Sequence, residues 1–130
     1  MLEGSCHCGA VRWKFEITPK SVTACNCTIC RRYGALWAYD YDGDRTQVSG
    51  PARVYVWGER GIGFHFCEHC GCIAYYRALR PDAQGRNRTA VNLRMTEPDA
   101  VANIPVNHFD GLKDWTDLGP DGRCVADMWF

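Results

Sequence analysis

Three thiols fall within six residues in the stretch Cys25-Asn26-Cys27-Thr28-Ile29-Cys30. Two smaller clusters flank it, Cys6-His7-Cys8 upstream and Cys67-Glu68-His69-Cys70 downstream. Seven of the nine cysteines lie in these three clusters. Packing does not explain such spacing, because a buried structural Cys has no reason to recur two or three residues from the next. A soft metal ion supplies the reason. Zinc takes four ligands tetrahedrally, and short spacings let two thiolates of one knuckle reach one ion. The odd cysteine count fits a disulfide framework poorly, and the close pairs Cys6/Cys8 and Cys25/Cys27 bridge with difficulty.

At 130 residues the chain is expected to form one domain, residues 1–130, large enough for a core without disulfides. Fifteen basic residues cancel fifteen acidic ones, so the footprint of a general nucleic-acid binder is missing. No charged segment followed by an apolar stretch precedes Cys6, and no apolar run approaches the ~20 residues that span a bilayer. The expected compartment is the cytoplasm, where clustered cysteines are reduced and bind metal. Two local charge biases stand out: an Arg-rich stretch from Arg77 to Arg94, and an acidic tail after His108. Both read as solvated faces.

Val11 to Ile17 alternates strictly, with Val11, Trp13, Phe15 and Ile17 on one face, and predicts a half-buried strand. Ser21 to Cys25 reads as a short extended piece, and Thr28 to Tyr33 as a helical turn stopped by Gly34. Leu36 to Tyr41 alternates again, with Trp37, Tyr39 and Tyr41 on one side. Strands are expected at Arg53 to Trp57, Ile62 to Cys67, Cys72 to Arg77 and Thr89 to Met95. Thr96 reads as the N-cap of a short helix with Pro98 in its first turn. From Ile104 the chain looks irregular until a short final strand at Val125 to Phe130. Many short strands, few helical residues and Gly-rich turns predict a mostly-β domain.

Cys6, Cys8, Cys67 and Cys70 supply the four thiolates of a closed structural zinc, and the middle cluster supplies three. A three-ligand zinc is the pattern of a site with an open position. Spacing alone does not dictate this partition, since Cys25, Cys27, Cys30 and Cys67 also count to four. Cys72 and Cys124 remain as spare candidate ligands, although the commoner fate of a lone Cys is that of a small buried hydrophobe.

The order Cys6-His7-Cys8-Gly9, then Cys25-Asn26-Cys27-Thr28-Ile29-Cys30, then Phe66-Cys67-Glu68-His69-Cys70-Gly71 resembles the glutathione-dependent formaldehyde-activating enzyme family, whose domain is shared with centromere protein V. Pro105-Val106-Asn107-His108 and Trp115 stand where that family has a similar His and Trp. The resemblance implies a β-tent zinc-binding fold. It implies one structural zinc on Cys6, Cys8, Cys67 and Cys70, and a second, more labile zinc on Cys25, Cys27 and Cys30. It also implies addition of glutathione to formaldehyde. The residues point the same way. Zinc carrying three thiolates acidifies a bound water less than zinc on three imidazoles, so a substrate thiol suits its fourth position better than water does. The expected activity is therefore a carbon–sulfur lyase on thiol–aldehyde adducts, with Cys25, Cys27 and Cys30 at its centre and His108 as a candidate proton carrier. The alternative is a non-catalytic, zinc-stabilised binding module. Arg31 and Arg32 are candidates for a substrate carboxylate, or simply a solvated helix end. His7 and His69 read as exposed spacers, and His65 is assigned no role.

Overall fold

The computed structural model describes residues 1–129 and is mostly β. In chain order the elements are β1 (Leu2–Ser5), β2 (Arg12–Phe15), β3 (Val22–Cys25), α1 (Cys30–Tyr33), β4 (Leu36–Tyr41), β5 (Thr46–Ser49), β6 (Ala52–Tyr55) and β7 (Ile62–Cys67). There follow β8 (Ile73–Ala78), β9 (Arg88–Asn92), α2 (Pro98–Val101), β10 (Pro105–Asp110) and β11 (Thr116–Cys124). Short 3₁₀ turns lie at Leu93–Met95 and Val125–Met128. No helix among the described residues is long and apolar enough to cross a membrane.

Two sheets form. β1, β2 and β5 make a small antiparallel sheet in that order. The large sheet runs β11-β10-β3-β4-β9-β8-β7-β6, with every pairing antiparallel except β10 beside β3. The large sheet buries side chains on both faces. One face contributes Leu36, Ala38, Ala74, Val91 and Val106 to a core shared with Trp13 and Phe15 of the small sheet. The other contributes Trp37, Phe64, Tyr76 and Ala90 to a second core that contains Cys27 and Cys30. The alternation along β4 decides this split, since successive side chains of a strand point to opposite faces.

Asp40 ties the two sheets together. Its carboxylate is buried at the end of β4 and accepts from the Arg45 backbone N–H at 2.9 Å and the Thr46 hydroxyl at 2.7 Å, both at the start of β5. The Arg45 guanidinium adds an ion pair at 3.2 Å. Burial alone would raise the pKa of this carboxyl, but the Thr46 and Arg45 donors outweigh it and hold the group below its ordinary value.

Several elements differ from the sequence reading, each for a local reason. The strand expected from Val11 to Ile17 is β2 and runs only from Arg12 to Phe15, and Ile17 is exposed. β9 stops at Asn92, whose side chain accepts from the Arg94 N–H and turns the chain into a 3₁₀ turn. Thr96 does not cap α2; its side chain is buried and Glu97 takes the N-cap position without a side-chain hydrogen bond. The supposedly irregular segment after Ile104 contains β10 and β11. The expected final strand is instead a 3₁₀ turn at Val125–Met128, closed by the Asp127 carboxylate accepting from the Cys124 N–H at 2.8 Å. Phe130 of that expected strand lies outside the described residues.

The Asp40 cluster predicts a measurable cost. Asp40→Asn should lower unfolding stability at neutral pH by about 1–3 kcal/mol, because buried donors lose a charged acceptor. A carboxyl held below its ordinary pKa contributes above that ordinary value, near 3.9, and the contribution fades as pH falls through the folded-state pKa. Denaturant titrations at neutral and acid pH should therefore show the gap between parent and variant shrinking in acid.

Candidate metal centres

Cys6 and Cys8 lie beyond the end of β1, and Cys67 ends β7. Cys67 and Cys70 belong to a tight turn in which Gly71 donates its N–H to the Cys67 carbonyl at 2.9 Å. Gly71 sits at φ +78, a backbone conformation that a side chain strains. The four sulfurs of Cys6, Cys8, Cys67 and Cys70 all lie within 4.8 Å of one another. Cys8 approaches both Cys6 and Cys67 at 3.6 Å. A tetrahedron of sulfurs with 2.3 Å bonds to zinc has edges of about 3.8 Å, so the spacing suits that ion. Backbone N–H groups point at the sulfurs: Val11 donates to Cys6 at 3.2 Å and His69 to Cys67 at 3.4 Å. Such donors stabilise thiolate over thiol, and the Cys70 backbone donors, from Cys72 and Cys8, bring that thiol down to about 5.

The second cluster is local. Cys25 ends β3, Cys27 lies in the turn and Cys30 starts α1. Their sulfurs also lie within 4.8 Å of one another, with Cys27 and Cys30 buried and Cys25 half-buried. No fourth His, Cys, Asp or Glu joins them among the described residues. The Cys27 N–H donates to the Cys25 sulfur, and the Cys30 N–H to the Cys27 sulfur, each at 3.4 Å. The Trp37 indole N–H donates to the Cys30 sulfur at 3.4 Å. Contact with Cys30 is the largest influence on Cys25 and brings its thiol down to about 6, while the same contact pushes Cys30 up. Of the two, Cys25 is the more readily ionised.

A loop from the end of β10 covers this knuckle. Asn26 anchors it: its backbone N–H donates to the Phe109 carbonyl, and its side chain exchanges bonds with Asp110 at 3.2 Å and the Leu112 N–H at 2.9 Å. Asp110 in turn accepts from the N–H groups of Leu112, Lys113 and Asp114. Gly111 passes so close that a Cβ there would stand 2.9 Å from the Cys25 sulfur and 2.7 Å from the Cys27 Cβ. The same Cβ would meet the Trp115 indole at 3.3 Å. Trp115 packs edge-on against Phe109 at 5.2 Å. Only a residue without a side chain allows this approach.

His108 is placed elsewhere. It stands in register with Ala24, while the next residue, Phe109, is in register with Cys25. Alternation therefore directs His108 to the sheet face away from the thiols, and its Nε2 lies 3.2 Å from the Asp121 carboxylate. Arg32 folds back on Thr28, donating to its carbonyl and hydroxyl at 2.8 Å. Cys72 and Cys124 join neither cluster; Cys72 packs against the first core, and Cys124 caps the last 3₁₀ turn. Sequence reasoning missed Asn26, Asp110 and Gly111. Asn26 and Asp110 are 84 positions apart, and only the parallel β3–β10 pairing, invisible to local spacing, brings them together.

The four-thiol cluster joins the start of the chain to a knuckle about sixty residues later, so metal bound there closes the fold. Cys67→Ser should abolish cooperative melting, since zinc binding at such sites is worth on the order of 10 kcal/mol of folding energy. A variant that melts like its parent with its full metal content would show that this cluster is not the structural site.

Comparison with known proteins agrees with the cysteine pattern. Residues 1–105 match the family model described as glutathione-dependent formaldehyde-activating enzyme. A Halomonas elongata protein, provisionally named as such an enzyme, is 34% identical over 144 aligned positions covering 97% of this chain and 87% of its own. A crystal structure of a Rhodobacter sphaeroides protein superposes with a TM-score of 0.62 at 25% identity, over 81% of this chain and 99% of that one. On the extent of the family match and the identity to the Halomonas relative, the chain belongs to the glutathione-dependent formaldehyde-activating enzyme family.

Proposed function

We propose that this protein is a zinc-dependent carbon–sulfur lyase that joins glutathione to formaldehyde as S-hydroxymethylglutathione and splits the adduct in reverse. One observation carries the reading: three clustered thiols lack a fourth protein ligand among the described residues, while the four-thiol cluster has its full set. The family match supports the choice of thiol and aldehyde. Bound at Cys25, Cys27 and Cys30, zinc would supply a Lewis acid that favours the thiolate form of a substrate sulfur.

The chain's own groups prepare that position. The Trp37 indole and the backbone N–H groups of Cys27 and Cys30 offset the negative charge of the sulfurs. The aromatic wall of Trp37, Phe64 and Tyr76 closes the cluster from one side. Gly111 keeps the loop thin where it passes Cys25. In the forward reaction the substrate sulfur donates an electron pair to the aldehyde carbon. The carbonyl π pair moves to oxygen, which takes up a proton; the reverse step breaks the carbon–sulfur bond and returns that proton. His108, held by Asp121 on the other face, takes no step in this reading.

Metal removal tests the division of labour. Three protein ligands from one local segment should hold zinc less tightly than four from two segments. Mild chelation should remove about one zinc of two while the fold survives, and Cys27→Ser should do the same and abolish adduct turnover. Titrating the zinc-loaded protein with glutathione should add one sulfur at one of the two ions by metal X-ray absorption. Loss of both ions together with unfolding, or turnover by the half-loaded protein, would favour the non-catalytic binding module.

A further inference from the structure

The face of the large sheet that holds the second core carries more than the thiols. Tyr39 follows Trp37 by two residues on β4 and shares its face, about 7 Å further along the strand. It stands in register with Ala90 of β9, and Arg88, two residues from Ala90, comes to the same face. The Arg88 guanidinium lies over the Tyr39 ring at 4.4 Å from its centroid. Tyr39 packs on Tyr76 at 6.2 Å, and Tyr76 on Trp37 at 5.2 Å, so a continuous row of aromatic contacts links the Cys30 sulfur, through the buried Trp37 and Tyr76, to the exposed Tyr39 and Arg88.

Arg88 differs from its neighbours in charge pairing. Arg77 is paired with Asp42 at 3.1 Å, and Arg86 contacts Asp82 at 3.8 Å while stacking on Tyr41. Among the described residues no carboxylate pairs with Arg88. A stacked guanidinium keeps its edge free, and that edge presents paired donors matched to a carboxylate.

We propose that Arg88, oriented by Tyr39, is the residue that recognises a carboxylate of the thiol substrate, and that it makes the site selective for anionic peptide thiols over neutral ones. This inference rests on the lyase reading of the same site. Three thiolates give the zinc site net negative charge, which repels an anionic thiol, and the unpaired Arg88 supplies the compensating charge at the substrate's far end.

Calorimetric titration of the zinc-loaded protein with glutathione and with its diethyl ester tests it. The parent should prefer glutathione by roughly tenfold or more, the worth of one charge-assisted hydrogen-bonded pair. Arg88→Ala should remove that preference while leaving ester affinity and metal content unchanged. Arg86→Ala, which removes an already paired guanidinium, should keep it. An unchanged preference in Arg88→Ala overturns the assignment, and so does an equal loss in both variants, which would mean a diffuse basic field. Failure of both thiols to bind the parent, with no added sulfur at either zinc, instead overturns the lyase reading on which the inference rests.

Discussion

Sulfur brought within bonding range of a common centre is the constraint on which the remaining structure depends. Cys8 and Cys67 are 59 positions apart and their sulfurs stand 3.6 Å from each other. That approach requires the segment after β1 and the end of β7 to converge, although β1 belongs to the small sheet and β7 to the large one. Four thiolates this close repel strongly unless a cation lies among them, so the arrangement is costly empty and rewarding when filled. The backbone N–H groups aimed at the sulfurs are consistent with this, since they favour the charged, metal-binding form.

With the sheets fixed in this way, the two faces of the large sheet differ in character. The face toward the small sheet is mostly aliphatic and packs on Trp13 and Phe15. The opposite face is aromatic and carries sulfur, phenol, indole and guanidinium groups. One strand serves both. In β4, Leu36, Ala38 and Asp40 face the small sheet and hold the sheets together, while Trp37 and Tyr39 lie on the other face, where the Trp37 indole reaches the Cys30 sulfur.

The alternation of β4 and the spacing of the cysteines were legible in the sequence because each is a local signal. The mostly-β class followed from the same kind of signal. β10 and β11 were not legible. β11 is exposed along almost its whole length and contains Gly119, Pro120 and Gly122, so it has no hydrophobic period to read. β10 pairs in parallel with β3 from more than eighty residues away and meets β11 through two irregularities in register. The acidic tail is exposed along most of its length, as the solvated-face reading expects, but its carboxylates also organise backbone. Asp110, Asp121 and Asp127 each accept from defined backbone N–H groups and set the loops around β10 and β11. Nothing in composition distinguishes such a carboxylate from one that faces water.

The local and the non-local cluster differ in a way that follows from chain connectivity alone. The four-thiol cluster draws on two distant segments, so occupying it orders some sixty residues, and its affinity is inseparable from folding. The three-thiol cluster draws on six consecutive residues already held by the turn from β3 into α1 and by the Asn26–Asp110 clasp. Its geometry is preformed by hydrogen bonds, so its metal has little folding work to do, and a coordination position can be left to an exchangeable ligand without cost to the fold. A centre that binds and releases substrate sulfur on each turnover needs that independence. Its place on the aromatic face, under a loop kept thin by Gly111, holds the three donors rigidly.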